Sequence, residues 1–180
     1  MRDVFDLLTQ LVGERPALTF AAMLVVHIAA GLAAVVAGAT AMLSPKRRGR
    51  HPNAGRIYCA ALCVVCATAV GTAALHWPED AYLVVLGALS LAAASVGYLA
   101  RHHLWQGWIR LHVLGMGTSY IVLLTAFYVD NGPRLPMWDR LPVLAFWVVP
   151  SLIGFPLVVR ALHGRFGARR ARTIDRPVAL

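Results

Sequence analysis

Long apolar runs alternate along the chain with short polar blocks, and the length of the runs is what first constrains the fold. A bilayer hydrocarbon core about 30 Å thick takes about 20 residues of helix to cross. Five stretches meet that length: Ala17 to Leu43, Gly55 to Trp77, Ala81 to Ala100, Leu104 to Val129 with a polar first turn or two, and Leu141 to Leu162. Polar residues are gathered between the runs, whereas the surface of a soluble domain would interleave them throughout. The pattern predicts an all-α, polytopic transmembrane helical bundle of about five spans, one membrane domain over 1–180 with a basic tail at 163–180. As straight helix the first run measures about 40 Å, so tilt or protrusion is expected. Before it, Asp3 to Val12 sets Val4, Phe5, Leu7, Leu8, Leu11 and Val12 among acids and Gln10, the make-up of a short interfacial helix.

Small residues four apart recur at Ala34 and Gly38, Ala67 and Gly71, Ala93 and Gly97, and Gly115 and Ser119. In lipid no hydrophobic force draws helices together, so close backbone approach at such positions matters more, and the first four spans are expected to pack tightly. The same pattern serves internal packing and dimerisation alike. The fifth span, with Pro142, Pro150 and Pro156, is expected to bend.

Composition agrees with the pattern. The 180 residues are 59% hydrophobic and 14% charged, against about a quarter charged in soluble domains. A formal net charge of +9 raises the question of nucleic acid, but the cations lie in the loops between apolar runs, where membrane topology already demands them. No nucleic-acid partner is therefore expected. The loop Pro45 to Arg56 holds Lys46, Arg47, Arg48, Arg50 and Arg56; Arg101 and Arg110 flank the third and fourth spans; the tail holds Arg165, Arg169, Arg170, Arg172 and Arg176. The opposite connections, His76 to Asp80 and Asp130 to Arg140, carry only Arg134 and Arg140 beside four acids. The positive-inside rule then puts the N-terminus outside and the C-terminus in the cytoplasm, in a bacterial inner membrane. The N-terminal segment has acids instead of a positive region, and the first apolar run is too long for a signal peptide, so it is read as a retained span.

Candidate chemistry is sparse. Cys59, Cys63 and Cys66 have the C-x-x-x-C-x-x-C spacing of enzymes that hold an iron-sulfur cluster. Cluster thiolates need a loop that wraps the iron, whereas these fall on one face of an apolar helix, where small inert thiols are the simpler account. No Asp or Glu lies well inside a span, which argues against a proton-driven pump or a carboxylate di-metal enzyme. What remains is His27 in the first span and His112 in the fourth, with Tyr120 two turns further on. Ionisable groups at such positions are costly and invite a functional reading, and a neutral imidazole bonded to a neighbouring helix is the structural alternative. At one mouth of the bundle Arg50, His51 and Arg56 suit an anion or lipid headgroup, since arginine forks match phosphate oxygens; the same loop also serves topology. Trp105, Trp108 and Trp138 fit interfacial anchoring.

Together these blocks resemble a known family. His27-Ile28 followed by Gly31 and Gly38, the loop Lys46 to Tyr58 with His51 and Gly55-Arg56-Ile57-Tyr58, and the runs His112 to Met116, Ser119-Tyr120 and Thr125-Ala126-Phe127 are similar to a family of bacterial membrane proteins, domain of unknown function 2306. The resemblance covers roughly Ala22 to Asn131, and the family's usual Lys-Gly before the loop histidine is altered here to Lys46-Arg-Arg-Gly49. It implies a small helical membrane protein, brings no agreed activity, and directs attention to His27, His51, Arg56, His112 and Tyr120.

Two functional classes stay open. One is an intramembrane module in which His27 and His112, with Tyr120 nearby, hold haem b, or in which His51 and His112 hold a transition metal, for electron transfer or sensing. The other is a non-catalytic accessory protein that holds lipid, a hydrophobic small molecule or a partner, including a second copy of itself; catalysis is the lesser expectation in both. Anionic lipids are expected at the basic loops in either case. Depth adds one constraint. His27 lies 17 residues before Ser44, about 25 Å above that edge; His112, 11 residues past Arg101, lies at about 16 Å, and Tyr120 near 28 Å. His27 is therefore expected to meet Tyr120, with His112 lower, near Cys63 and Cys66 or beneath the basic loop. That placement disfavours haem held by His27 and His112 together and favours a site at the mouth around His51, Arg56 and His112.

Overall fold

Backbone N–H and C=O groups find no water in the hydrocarbon, so an apolar run can satisfy them only within its own helix, and each of the five runs is helical. The computed structural model describes residues 2–46, 49–75 and 77–174, with side chains over 18–46, 49–75 and 77–163. Arg47, Arg48, His76 and Arg176 lie outside the described residues, as do the side chains of Arg165, Arg169, Arg170 and Arg172. The elements are α1 (Arg2–Leu43), α2 (Arg50–Ala73), α3 (Ala81–His102), α4 (Trp108–Asn131), a 3-10 turn (Gly132–Arg134) and α5 (Val143–Ile174). Among the described residues there is no strand. Segments long and apolar enough to cross a membrane are Leu18–Leu43, Arg50–Ala73, Ala81–His102, Trp108–Arg134 and Val143–His163. The protein is an all-α polytopic membrane protein. Its outward side chains say the same: Val25, Leu32 and Leu152 are each 66% exposed, which suits lipid and not water.

Several boundaries differ from the pattern-based ones. The helix expected over Asp3 to Val12 is present, but as the first turns of α1 instead of a separate element; Pro16 removes one N–H from the ladder without ending it. α2 starts at Arg50, five residues before the apolar run, because Pro52 falls in the first helical turn, where its missing N–H has no partner to lose. α5 runs without interruption past Pro150 and Pro156.

The chain divides into two compact units, Met1–Gly87 and Ala88–Leu180. In the first, α1 and α2 form an antiparallel hairpin. Ala34, Ala37 and Gly38 are buried on α1, and Ala54, Tyr58, Ala61, Leu62 and Val65 on α2, the i, i+4, i+7 stripe of a helix with one packed face. Ala67 is exposed, so Ala67 and Gly71 do not make a shared seam; Gly71 faces Met23 instead. The turn between the helices is built on Gly49, whose φ of 108° and ψ of −112° suit a residue without a Cβ.

In the second unit α3 and α4 meet at glycines. A Cβ placed on Gly115 would lie 2.6 Å from the Ala93 carbonyl oxygen and 2.7 Å from the Gly97 nitrogen, so two of the small-residue pairs, Ala93 with Gly97 and Gly115 with Ser119, form one seam. Within it Ser90 Oγ donates to the Ser119 carbonyl at 2.9 Å, and the two hydroxyls are 3.1 Å apart, both residues fully buried. α4 and α5 pack through Val158 on Gly117 and Ile121 on Gly154. The α3–α4 turn closes with the Trp105 N–H on the Ala100 carbonyl, a six-to-one helix-ending bond that puts Leu104 in the left-handed region at φ 51°.

Candidate functional site

Most hydroxyls in the spans turn inward on their own helices. Thr40 bonds Val36 O, Thr72 bonds Thr68 O, Ser95 bonds Leu91 O and Thr125 bonds Ile121 O, each one turn back. Those groups are satisfied locally, and the histidines, like Ser90, instead link one element to another.

His27, half-buried on α1, places Nδ1 2.9 Å from Thr68 Oγ1 on α2. Thr68 Oγ1 also lies 2.8 Å from Val64 O and 3.0 Å from Val65 O on its own helix. Both carbonyls only accept, so the single hydroxyl hydrogen points at them; turned toward the imidazole, it would leave oxygen lone pairs facing each other. Thr68 therefore accepts from His27, Nδ1 carries the proton, and in the neutral ring Nε2 carries the lone pair.

His112, half-buried on α4, reaches the same state by a different partner. Its Nδ1 is 3.0 Å from the Gly97 carbonyl oxygen on α3. A carbonyl cannot donate, so Nδ1 again holds the proton and Nε2 the lone pair. The contact depends on the glycine seam, since a Cβ on Gly97 would come within 2.9 Å of the Met116 nitrogen. His51 follows suit, with Nδ1 donating to Ala41 O at 2.8 Å, near the end of α1. Lys46 Nζ donates to the same carbonyl and to Met42 O, each at 2.7 Å. The last turn of a helix leaves carbonyls without N–H partners and carries partial negative charge; the loop's lysine and histidine supply both donors and positive character there. Arg50 and Arg56 are exposed on the first turns of α2.

The remaining candidates divide. Tyr120 is half-buried on α4 in the second unit, while His27 belongs to the first. Their pairing, and the lower placement of His112, are proposals that rest on helix depth alone. Cys66 donates to Gly87 O at 3.4 Å, and Cys59, Cys63 and Cys66 are free thiols. Among the described residues no three His, Cys, Asp or Glu side chains converge as a metal-binding group.

A family model described as a predicted membrane protein, DUF2306, matches residues 24–159. The chain belongs to that family. No curated protein and no solved structure matches this DUF2306 protein. The match takes in His27, His51, Arg56, His112 and Tyr120.

Two features of this DUF2306 protein are not evident from the apolar runs. Thr68 and the Gly97 carbonyl anchor His27 and His112; a hydroxyl inside a span is the signal for the first, and a backbone acceptor leaves none for the second. The other is a row of rings at the end of α3. Tyr98 stacks on His102 at 6.1 Å, His102 meets His103 at 5.0 Å, and His103 stacks on Trp105 at 6.3 Å, with the Arg101 guanidinium 4.8 Å above Trp108. At the opposite end of α4, Trp138 stacks on Tyr128 at 4.8 Å. Aromatic and cationic groups at span ends fit the polar edge of a bilayer.

Proposed function

We propose that this protein is an intramembrane histidine module that binds haem b through imidazole, for electron transfer or sensing and without hydrolytic or group-transfer chemistry of its own. One observation carries the reading: His27 and His112, both within apolar spans, are each held through Nδ1 by a neighbouring helix. Ligating histidines characteristically donate their other ring N–H to a protein acceptor, which fixes tautomer and orientation. Haem suits the residues better than a bare transition metal, such as one held by His51 and His112. A porphyrin supplies four nitrogens and asks the protein for one or two, whereas a structural ion such as zinc asks for about four protein ligands, and no such group is found among the described residues. When bound, haem supplies one-electron chemistry at iron; the chain supplies imidazole and an apolar surround.

The expected setting is a bacterial inner membrane, with the N-terminus outside and the C-terminus cytoplasmic, as the loop cations direct. An absorption spectrum of protein purified after haem-replete expression tests the reading. A Soret band that weakens in His27→Ala or in His112→Ala supports it; no band in the wild-type protein removes it. The second reading is an accessory protein that holds anionic lipid, and the exposed Arg50 and Arg56 favour it. Arg50, His51 and Arg56 are the headgroup ligands in that case, the arginine forks matching phosphate oxygens.

A further inference from the structure

We propose that the turn between α3 and α4 is a headgroup site for an anionic phospholipid, its phosphate held by Arg101, His102 and His103 and its upper acyl chains lying against Tyr98, Leu104 and Trp105. All these side chains are exposed and belong to the second unit. The turn itself gathers them. α3 ends at His102, the Trp105 N–H closes on the Ala100 carbonyl at 3.2 Å, and Leu104 at φ 51° reverses the chain. Trp105 thereby folds back beside His103, their rings nearly parallel at 14° and 6.3 Å apart. Tyr98, one helical turn before His102, stacks on it at 20° and 6.1 Å, and the two imidazoles meet at 5.0 Å and 72°. Each imidazole is thus held on an aromatic neighbour, and it has an N–H to donate in either protonation state.

Charge selects the occupant. No Asp or Glu lies between Ala81 and Val129, and the described acids of this unit, Asp130 and Asp139, follow the far end of α4. The Arg101 guanidinium lies 4.8 Å over the Trp108 ring. That ring attracts the charge through its π face but offers no lone pair, so phosphate oxygens are the better acceptors for the guanidinium N–H groups. The same charge works against a metal cation on the two imidazoles. Apolar exposure then selects the source of the phosphate. A soluble anion gains nothing from Tyr98, Leu104 and Trp105, whereas at a bilayer edge such rings sit at headgroup level. Tyr98 lies about 6 Å along the helix axis from His102, which matches the roughly 5–8 Å depth of one interfacial layer. The site uses none of the residues of the haem reading, nor those of the alternative at Arg50, His51 and Arg56.

Fluorescence quenching of Trp105 tests the site in the full chain, reconstituted in phosphatidylcholine nanodiscs that carry a brominated lipid at one fixed mole fraction. That lipid is either phosphatidylglycerol or phosphatidylcholine, brominated at the same acyl positions, and the share of Trp105 in the signal is read against Trp105→Phe. In the wild type brominated phosphatidylglycerol is expected to quench Trp105 more strongly, through local enrichment of about fivefold for each cation engaged. Arg101→Gln is expected to lose about one such factor, and the triple variant Arg101→Gln, His102→Gln, His103→Gln to level the two lipids. The single variant carries the test alone if the triple one fails to fold. Arg50→Gln combined with Arg56→Gln is expected to keep the preference. Equal quenching by the two lipids in the wild type overturns the proposal. So does a preference that survives intact in Arg101→Gln or in the triple variant, or that disappears in the α2 pair, since each assigns it to the charge of the chain at large. Loss of the preference on adding inorganic phosphate, beyond the effect of sodium chloride at equal ionic strength, would make a soluble anion the occupant and overturn it as well.

Discussion

His112 donates from Nδ1 to the backbone carbonyl of Gly97, 3.0 Å away, and it can do so because neither helix carries a side chain where the two backbones meet. Gly115→Ala puts a methyl 2.6 Å from Ala93 O, a backbone atom that cannot rotate aside. Separation of α3 from α4 is expected to cost about 1–3 kcal/mol and to lengthen the His112 bond. Gly31→Ala is the control: nothing lies within 4 Å of its Cβ, and helix propensity favours alanine by up to about 1 kcal/mol. Melting in detergent should move down for the first and up or not at all for the second; matching shifts would contradict the seam.

Two turn positions carry opposite expectations. Gly49 occupies φ 108°, and Leu104, a residue with a Cβ, occupies φ 51°. Gly49→Ala forces a side chain into a region that L residues rarely adopt, at a cost of about 1–2 kcal/mol. Leu104→Gly removes such a cost, with a net gain of up to about 1 kcal/mol after the greater freedom of glycine in the unfolded chain. The same melting series reads both, and a loss of stability in Leu104→Gly would count against the turn.

Lys46 and His51 share Ala41 O. Either one removed leaves the other on the carbonyl, so Lys46→Met or His51→Leu should cost less than about 1 kcal/mol, while the double variant should cost more than the sum. Strict additivity in the cycle would show that the two donors do not act on one acceptor.

Ser90→Ala deletes the buried bond to Ser119 O. Interhelical hydrogen bonds inside membranes average about 0.6 kcal/mol and reach about 1.7, so a modest, measurable loss is expected under denaturing detergent titration. A loss several times larger would mean that the serine pair does more than join α3 to α4.

Reporters fused after Leu180 test orientation. A fluorescent protein that matures only in the cytoplasm should be bright there, and a periplasm-dependent phosphatase at the same point should be inactive. The reverse result would invert the loop assignment.

Hydropathy made the spans legible because lipid leaves so few alternatives: Ala81 to Ala100 is a helix by length alone, and α3 extends it by two residues. Helix ends were less legible. α2 begins among Arg50, His51, Pro52 and Asn53, whose polarity hides a first turn that proline tolerates. α3 ends at a leucine in the left-handed region, where glycine would have announced the stop. The small-residue rule succeeded at Gly115, where two backbones meet, and failed at Ala67, since alanine on a lipid face obeys the same spacing. His27, His51 and His112 stood out as polar groups in or beside apolar runs. The acceptors of His51 and His112 did not, because carbonyls belong to every residue and only packing selects one.

The inward-turned hydroxyls bear on how such a chain is made. A span leaving the translocation machinery meets acyl chains before it meets its neighbours, and an unpaired hydroxyl would resist that transfer. Thr40, Thr72, Ser95 and Thr125 bring their acceptors with them, one turn back on the same helix. Each span can thus partition into the bilayer singly, and the bonds that join helices, from Ser90, His27 and His112, close in a later step. Biogenesis separates into insertion and assembly, so a variant that spoils a seam leaves its helices stranded in the membrane instead of expelling them from it.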